Sequence, residues 1–551
     1  MRKVTKILLK ALSVTLLFLI FCPIVLTLVV DLPSVQNFLV DRATSLISKH
    51  LQTEVSIGRI RLGALGSLRV DDFYVEDYQQ DTLIYVGRLK VFLSRFDGTR
   101  GITLRNGTIA DAYLNIRETP EGVMNIKQVV QRLSKKDNDK KSDFSLKVKD
   151  VLLQNVNVII EQHEHRHPSY GIDYGDMHIE HISAFIDDFT LDGGTIGGYI
   201  RNLSLVEHCG FMLQNFTGHF SVEKGVIDLR DFEVMAEHSD VRLPSLTLRG
   251  DGWGAYKDFI NNVRLEGEIY RSTVSSSDVA HFAPAMLPWG VMVRELTGRV
   301  SGTVADMMVD IDNVSFGASS SLYGSARLRG LPDVRRATMN LDLKRLTTNE
   351  DDAAWMLAGI TGRTLPSKVL SMADAAGEII CAGEFDGGFT AFDAELHLTT
   401  QSGNATLMAE RRPMERVEGE AARSTLVASA DLRRMELGRI LRVPMMGALT
   451  ATMNFDGSTS KDGIRGRLNG RAQELAFNDA HYSNIDIEGM VINKSFSGSI
   501  TGHDTPLRFD LDGLADLNGA NPIFDLKLDV AEADLHAMNI NQRDSLSLLS
   551  F

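Results

Sequence analysis

From Val55 onward the chain alternates apolar and polar residues with a period of two, and no other feature restricts its fold as much. In FDAELHLTT, Phe392, Ala394, Leu396 and Leu398 alternate with Asp393, Glu395, His397 and Thr399. LRFDLDG repeats the pattern through Leu507, Phe509 and Leu511, and FDLKLDV through Phe524, Leu526, Leu528 and Val530. Successive side chains of a strand point to opposite faces, so each segment predicts a strand with one apolar and one polar face. Turn signals such as FDGT, RNGT, LDGG, RGDG, FDGS and LNGA punctuate the run. They bring glycine to 46 residues against 13 prolines. The expected fold is mostly β: an elongated, curled antiparallel sheet, shaped as a groove, with occasional short helices.

Short helical segments are expected after strands at IYRSTVSSSDVAHFAPAM, LKRLTTNEDDAAWMLAGI, ADLRRMELGRILRV and VAEADLHAMNI, where residues such as Asp278, Asn349 and Glu436 stand at helix starts. Their spacing is too irregular for a propeller and too long for a leucine-rich repeat.

The first 31 residues differ in kind. Arg2, Lys3, Lys6 and Lys10 precede an uncharged run from Ala11 to Val30, long enough to span a bilayer. Bulky residues stand where a signal peptidase needs small ones, so a retained anchor with a cytoplasmic N-terminus is expected, the bulk of the chain lying across the membrane. Pro33 then opens an amphipathic helix to about His50, with Val35, Phe38, Leu39, Leu46 and Ile47 near one face. It can lie on a membrane or cap a sheet. The organisation read from the sequence is residues 1–31, flank and anchor; 32–135, helix and first β-unit; 136–144, a charged linker; and 145–551, a repetitive β-region, expected to be truncated at its C-terminal end.

Composition excludes some functions. With 72 acidic against 58 basic residues the net charge is −14, which argues against a nucleic-acid partner. Cys209 and Cys381 are the only cysteines outside the anchor and make no disulfide framework; whether they pair is left open. No phosphate-binding GxxxxGK[ST], GxSxG elbow or paired CxxC occurs, and GGTIGG at 193–198 reads as a turn. No cofactor is expected.

One enzyme-like pattern stands out. His163-Glu164-His165-Arg166-His167 satisfies HExxH, the zinc-peptidase pattern, which needs a helix to place both histidines on one ion. Alternating Val156, Val158 and Ile160 lead into it, and Pro168 follows at once, so a strand end or turn is expected instead. His163, His165 and His167 would then form a comb on one face, a minor candidate for metal with His178 or His181 nearby, and no catalytic residue is assigned.

SVQNFLVDRATSLISKHLQTEVSIGRIRLGALGSLRVDDFYVED, its partner LIYVGRLKVFLS, and ELTGRVSGTVADMMVDIDNVSFGASSSLYGSARLRGLPD resemble AsmA-like proteins, specifically the TamB branch. The resemblance implies a single-pass inner-membrane protein of a diderm bacterium. Its periplasmic β-groove would hold phospholipid acyl chains and serve lipid transport to the outer membrane. It also implies, as an alternative, outer-membrane protein assembly beside a barrel partner of the TamA/BamA type. The candidate lipid-facing residues are Phe392, Leu396, Leu398, Leu507, Phe509, Leu511, Phe524, Leu526 and Leu528. At about 4.8 Å per strand, roughly 30 to 40 strands would give a sheet on the order of 150 to 190 Å long.

Overall fold

The structure, a computed structural model, describes residues 32–63, 66–97, 101–127, 129, 145–333, 336–361, 364, 367–388, 390–415, 423–461, 463–518, 521–545 and 547–550. The expected anchor and the charged linker lie outside these residues. Among the described residues no helix is long and apolar enough to cross a membrane. Strands hold 65% of the chain and helices 13%, so the fold is mostly β. The chain divides into two units at residues 287/288.

The first unit opens with helix α1 (Pro33–Leu51), close to the expected limits. Eleven strands follow: β1 (Val55–Gly63), β2 (Ser67–Glu76), β3 (Thr82–Phe96), β4 (Gly101–Arg117), β5 (Ser145–Glu161) and β6 (Asp176–Asp192); then β7 (Thr195–Glu207), β8 (Met212–Glu223), β9 (Val226–Ala236), β10 (Asp240–Arg249) and β11 (Arg264–Ser275). Each pairs with its neighbour in sequence. All pairs are antiparallel except β4 and β5, which run parallel, a departure from the antiparallel expectation. A parallel pair needs a connection long enough to cross from one end of the strands to the other, and residues 118–144 supply it. Helix α1 caps this sheet: Leu51 packs with Val55, Val75, Leu83 and Val129, while Phe38 and Leu46 stay 66% and 56% exposed.

The second unit holds fifteen strands, again paired in sequence order. The first eight are β12 (Met292–Thr303), β13 (Asp306–Phe316), β14 (Ser320–Arg329), β15 (Thr338–Thr348), β16 (Ile379–Gly387), β17 (Phe392–Thr400), β18 (Gly403–Pro413) and β19 (Arg423–Glu436). The rest are β20 (Met446–Ser460), β21 (Gly463–Phe477), β22 (Ala480–Ile492), β23 (Ser495–Gly502), β24 (Leu507–Asp516), β25 (Ile523–Asp534) and β26 (Leu548–Leu549). The described residues thus form 26 strands, fewer than the 30 to 40 expected, because several run to 15 or 17 residues.

Three of the four expected helices form. They are α2 (Ser276–Ala280), α3 (Glu350–Thr361) and α5 (Leu437–Leu441); a further helix, α4 (Ser367–Ala376), lies between α3 and α5. Asn349 caps α3 by accepting from the Asp352 N–H at 2.9 Å. The cap of α2 is Ser275 rather than Asp278, and Glu436 precedes α5 without a side-chain cap. VAEADLHAMNI forms a turn instead: Asp534 accepts from the N–H groups of His536 and Ala537, and left-handed Asn539 ends it. RNGT and FDGS, expected as turns, lie inside β4 and β20.

RNGT shows why. Many strands contain one or two non-glycine residues in the left-handed region, among them Asp72, Asn106, Asp111, Asn155, His181, Asp188, Asp231, Arg434 and Asn484. Each follows one polar or small residue and separates two face-sharing residues by three positions, as in Val70/Phe73, Leu153/Val156 and Leu229/Phe232. The insertion flips the backbone once, so the apolar side chains on both sides of it stay on one face. Such bulges also increase local twist. In β1 and β2 they stand opposite each other: a Cβ on Gly58 would lie 2.9 Å from the Asp72 Cβ, so glycine is needed there. The left-handed residues also join across strands. Asn155 donates to Asp111 at 3.0 Å, and His181 approaches Asn155 at 3.3 Å.

A β-branched residue in the left-handed region costs about 1–2 kcal/mol. Both Asn155→Val and Asn155→Gly lose the hydrogen bond to Asp111, so Asn155→Val is expected to lower the unfolding free energy, measured by urea denaturation, by that order more than Asn155→Gly does. Equal effects from the two would remove the conformational explanation.

Candidate functional site

Residues directly opposite in neighbouring strands share a face, so the register shows which side chains form one surface. In the second unit Val300 stands opposite Val309, and the row continues through Ala326, Leu341, Phe385, Ala394, Ala409 and Ala428. It then passes through Phe455, Leu468, Gly489, Gly498 and Gly513 to Leu526. A parallel row runs from Leu343 through Gly383, Leu396, Leu407, Ala430 and Met453. It ends through Gly470, Ile487, Ile500, Leu511 and Leu528. No charged residue interrupts either row. Ladder by ladder, this register puts all nine candidate residues on one face of the second unit.

That face is only partly shielded. Phe392, Leu396, Leu398, Leu507, Phe509 and Leu511 are half-buried. On β25, Phe524, Leu526 and Leu528 are 61%, 52% and 44% exposed. The fully covered positions of the face are small residues such as Ala326, Ala405, Ala451 and Ala472, together with Leu343, Ile485 and Val530. Among the described residues, a cluster of buried apolar residues in this unit has three members, Ala451, Ala472 and Ile485. Most of the other large apolar side chains of the face keep part of their surface accessible.

The opposite face is polar. Glu384, Glu395, Met408, Ser429, Asn454 and Asn469 stand in register, continuing to Glu488, Ser499, Asp512 and Lys527. Exposed ion pairs join its strands, such as Arg412 with Asp393 and Arg471 with Asp486, each at 2.6 Å. Pairs this exposed contribute about 0–1 kcal/mol and serve mainly to hold register. A hollow of about 730 Å³ also lies on this side, walled by Glu384, Asp386, Asp393, Glu395, Glu410 and Asp456. Its largely acidic walls suit water and cations.

The first unit has an apolar face built the same way. Ile57, Phe73, Val86, Ala112, Val156 and Ile182 form one cross-strand row, and Phe220, Leu229 and Leu246 belong to another. The left-handed residues keep these rows apolar, although their strands break the simple alternation. The signal is readable in sequence as apolar-polar-Asp/Asn-apolar, for example VDDF, LQNV, IDDF and LRDF.

The HExxH segment has no helix. Strand β5 ends at Glu161, and residues 162–175 form an irregular connection to β6, which deprives the two histidines of the spacing a zinc peptidase uses. The three histidines do not form a comb either. His165 and His167 converge on Asp173, whereas the backbone of His163 turns toward Glu118. His178 bonds Asp176, and His181 lies on the β6 bulge. Asp173 was not among the residues singled out from sequence. Its signal is a carboxylate six residues beyond an HxH pair, at the far end of the same loop.

Cys209 and Cys381 are free thiols, one in each unit. Burial, with a hydrogen bond to Glu207, pushes the Cys209 thiol up to about 11. Family models, curated proteins and solved structures provide no match to this chain.

Proposed function

We propose that the chain is a membrane-anchored lipid conduit or lipid chaperone, whose apolar faces shelter phospholipid acyl chains. In this reading it sits in the inner membrane of a diderm envelope and supports phospholipid passage to the outer membrane. The observation that carries the reading is the second unit's apolar face: fourteen strands, β12 to β25, present apolar side chains in register and leave many of them accessible. Water pays no compensation for such a surface, whereas an acyl chain laid on it gains about 0.8 kcal/mol per buried CH₂. Rows of leucine, isoleucine, alanine and glycine offer many similar contacts and no deep polar well. A chain can therefore slide from strand to strand without being held at one.

The test is lipid analysis of the full chain purified in mild detergent. Phospholipid of mixed headgroup is expected to remain bound after exhaustive washing, at more than one molecule per chain. A chain that emerges free of phospholipid overturns the reading.

A second reading has its own observation. β25 pairs with β26 only at Ala533 and Asp534, so its edge from Ile523 to Glu532 has no partner among the described residues. An open edge can accept a client strand, as the assembly-factor alternative beside an outer-membrane barrel would require. That reading expects client proteins, rather than lipids, to crosslink to β25.

A further inference from the structure

The loop between β5 and β6 brings together a donor set that the lipid reading does not use. His165 Nε2 lies 3.1 Å from Asp173 Oδ2, and His167 Nδ1 lies 2.7 Å from the same oxygen. All three donor atoms fall within 4.8 Å of one another. We propose that His165, His167 and Asp173 bind a divalent transition ion of the zinc class.

The chemistry fits the residue types. Two imidazoles and one carboxylate suit Zn²⁺, and three protein ligands leave a fourth position for water. Bonds of about 2.1 Å in a tetrahedron set donor atoms roughly 3.4 Å apart. The separation to His165 therefore needs to open by about 0.3 Å and that to His167 by about 0.7 Å, within reach of side-chain rotations.

The loop is already shaped for this. Asp173 Oδ1 accepts from the Gly175 N–H at 3.0 Å, which fixes the carboxylate and leaves Oδ2 to the histidines. A Cβ at Gly175 would stand 2.4 Å from the His165 ring, so glycine is what allows that ring to lie against the loop. The Ile172 N–H donates to the His281 carbonyl at 2.7 Å, tying the loop to the segment after α2. His165 and Asp173 are half-buried and His167 is exposed, so the site is held from below and open to solvent above.

A neighbouring group, Glu161, Asp176 and His178, is the weaker candidate. Arg117 already occupies Glu161 at 2.9 Å, placing a fixed cation where an ion would sit.

The full chain, stripped with chelator in detergent, is titrated with Zn²⁺ and separately with Co²⁺, whose visible spectrum reports coordination. One ion per chain is expected, with the intense absorption of four-coordinate cobalt, and excess Mg²⁺ is expected not to compete. His167→Ala and Asp173→Asn are expected to weaken binding at least about tenfold, as removal of even supporting groups does in metal sites. His163→Ala and His178→Ala are expected to leave binding unchanged. His167 is exposed, so its replacement does not threaten folding, and circular dichroism checks each variant. No retained ion, binding indifferent to both His167→Ala and Asp173→Asn, or binding abolished by His178→Ala overturns the proposal.

Discussion

Glutamate at Leu396 and Ile500 is expected to reduce the phospholipid that copurifies with the chain by tenfold or more. The two residues belong to one cross-strand row of the apolar face, on β17 and β23. An acyl chain crossing either position would lose contact with two or three CH₂ groups, about 2 kcal/mol, and would meet a charge it cannot solvate. Both positions are half-buried, Ile500 against the cluster of Ala451, Ala472 and Ile485, and circular dichroism of the variant checks that the sheet persists. Glu395→Gln and Asn454→Asp, on the polar face, are expected to leave lipid unchanged. Equal lipid in the paired glutamate variant would place the cargo elsewhere.

The second large effect concerns stability. Asp352, on the first turn of α3, is 5% exposed. Its carboxylate accepts from the N–H groups of Ala318 and Ser319, at 2.8 and 3.0 Å, and from the Ser320 hydroxyl at 2.7 Å. One side chain thereby joins α3 to the turn between β13 and β14. Asp352→Ala leaves those donors without their acceptor and is expected to cost about 2–4 kcal/mol. Burial pushes the Asp352 carboxyl up, but these hydrogen bonds outweigh it and hold the group below its ordinary range. A carboxyl whose folded value is depressed adds stability above its unfolded value, near 4, and loses it as the pH falls through the lower folded value. The wild-type chain is therefore expected to lose stability below about pH 4 more steeply than Asp352→Ala, which has already lost this term. Urea midpoints measured from pH 7 to pH 3 check it; parallel curves would contradict it.

Much of this architecture is legible in sequence because side-chain direction in a strand has a period of two. FDAELHLTT, LRFDLDG and FDLKLDV fall on β17, β24 and β25 with their apolar residues on a common face. The register that joins those faces is a long-range property, and no single strand contains it. The bulges were hidden for a local reason: Asn106 in RNGT carries the same residue signal as a hairpin turn, yet its neighbours continue the strand. The parallel pairing of β4 and β5 was hidden because antiparallel and parallel strands alternate alike; only the length of the connection distinguishes them. At the histidine loop, Pro168 and the strand before it correctly removed the helix. Asp173 escaped notice because its approach to His165 and His167 depends on loop closure through Gly175 rather than on a sequence period.

The account rests on the claim that the apolar face carries lipid. Photo-crosslinking in cells tests it most directly, with the reactive residue placed in turn at Leu396 and Leu526, and at their polar-face neighbours Glu395 and Lys527. Phospholipid adducts are predicted at Leu396 and Leu526 and absent at Glu395 and Lys527. Consistent failure to capture lipid at Leu396 and Leu526, with the polar positions equally silent, would contradict the account.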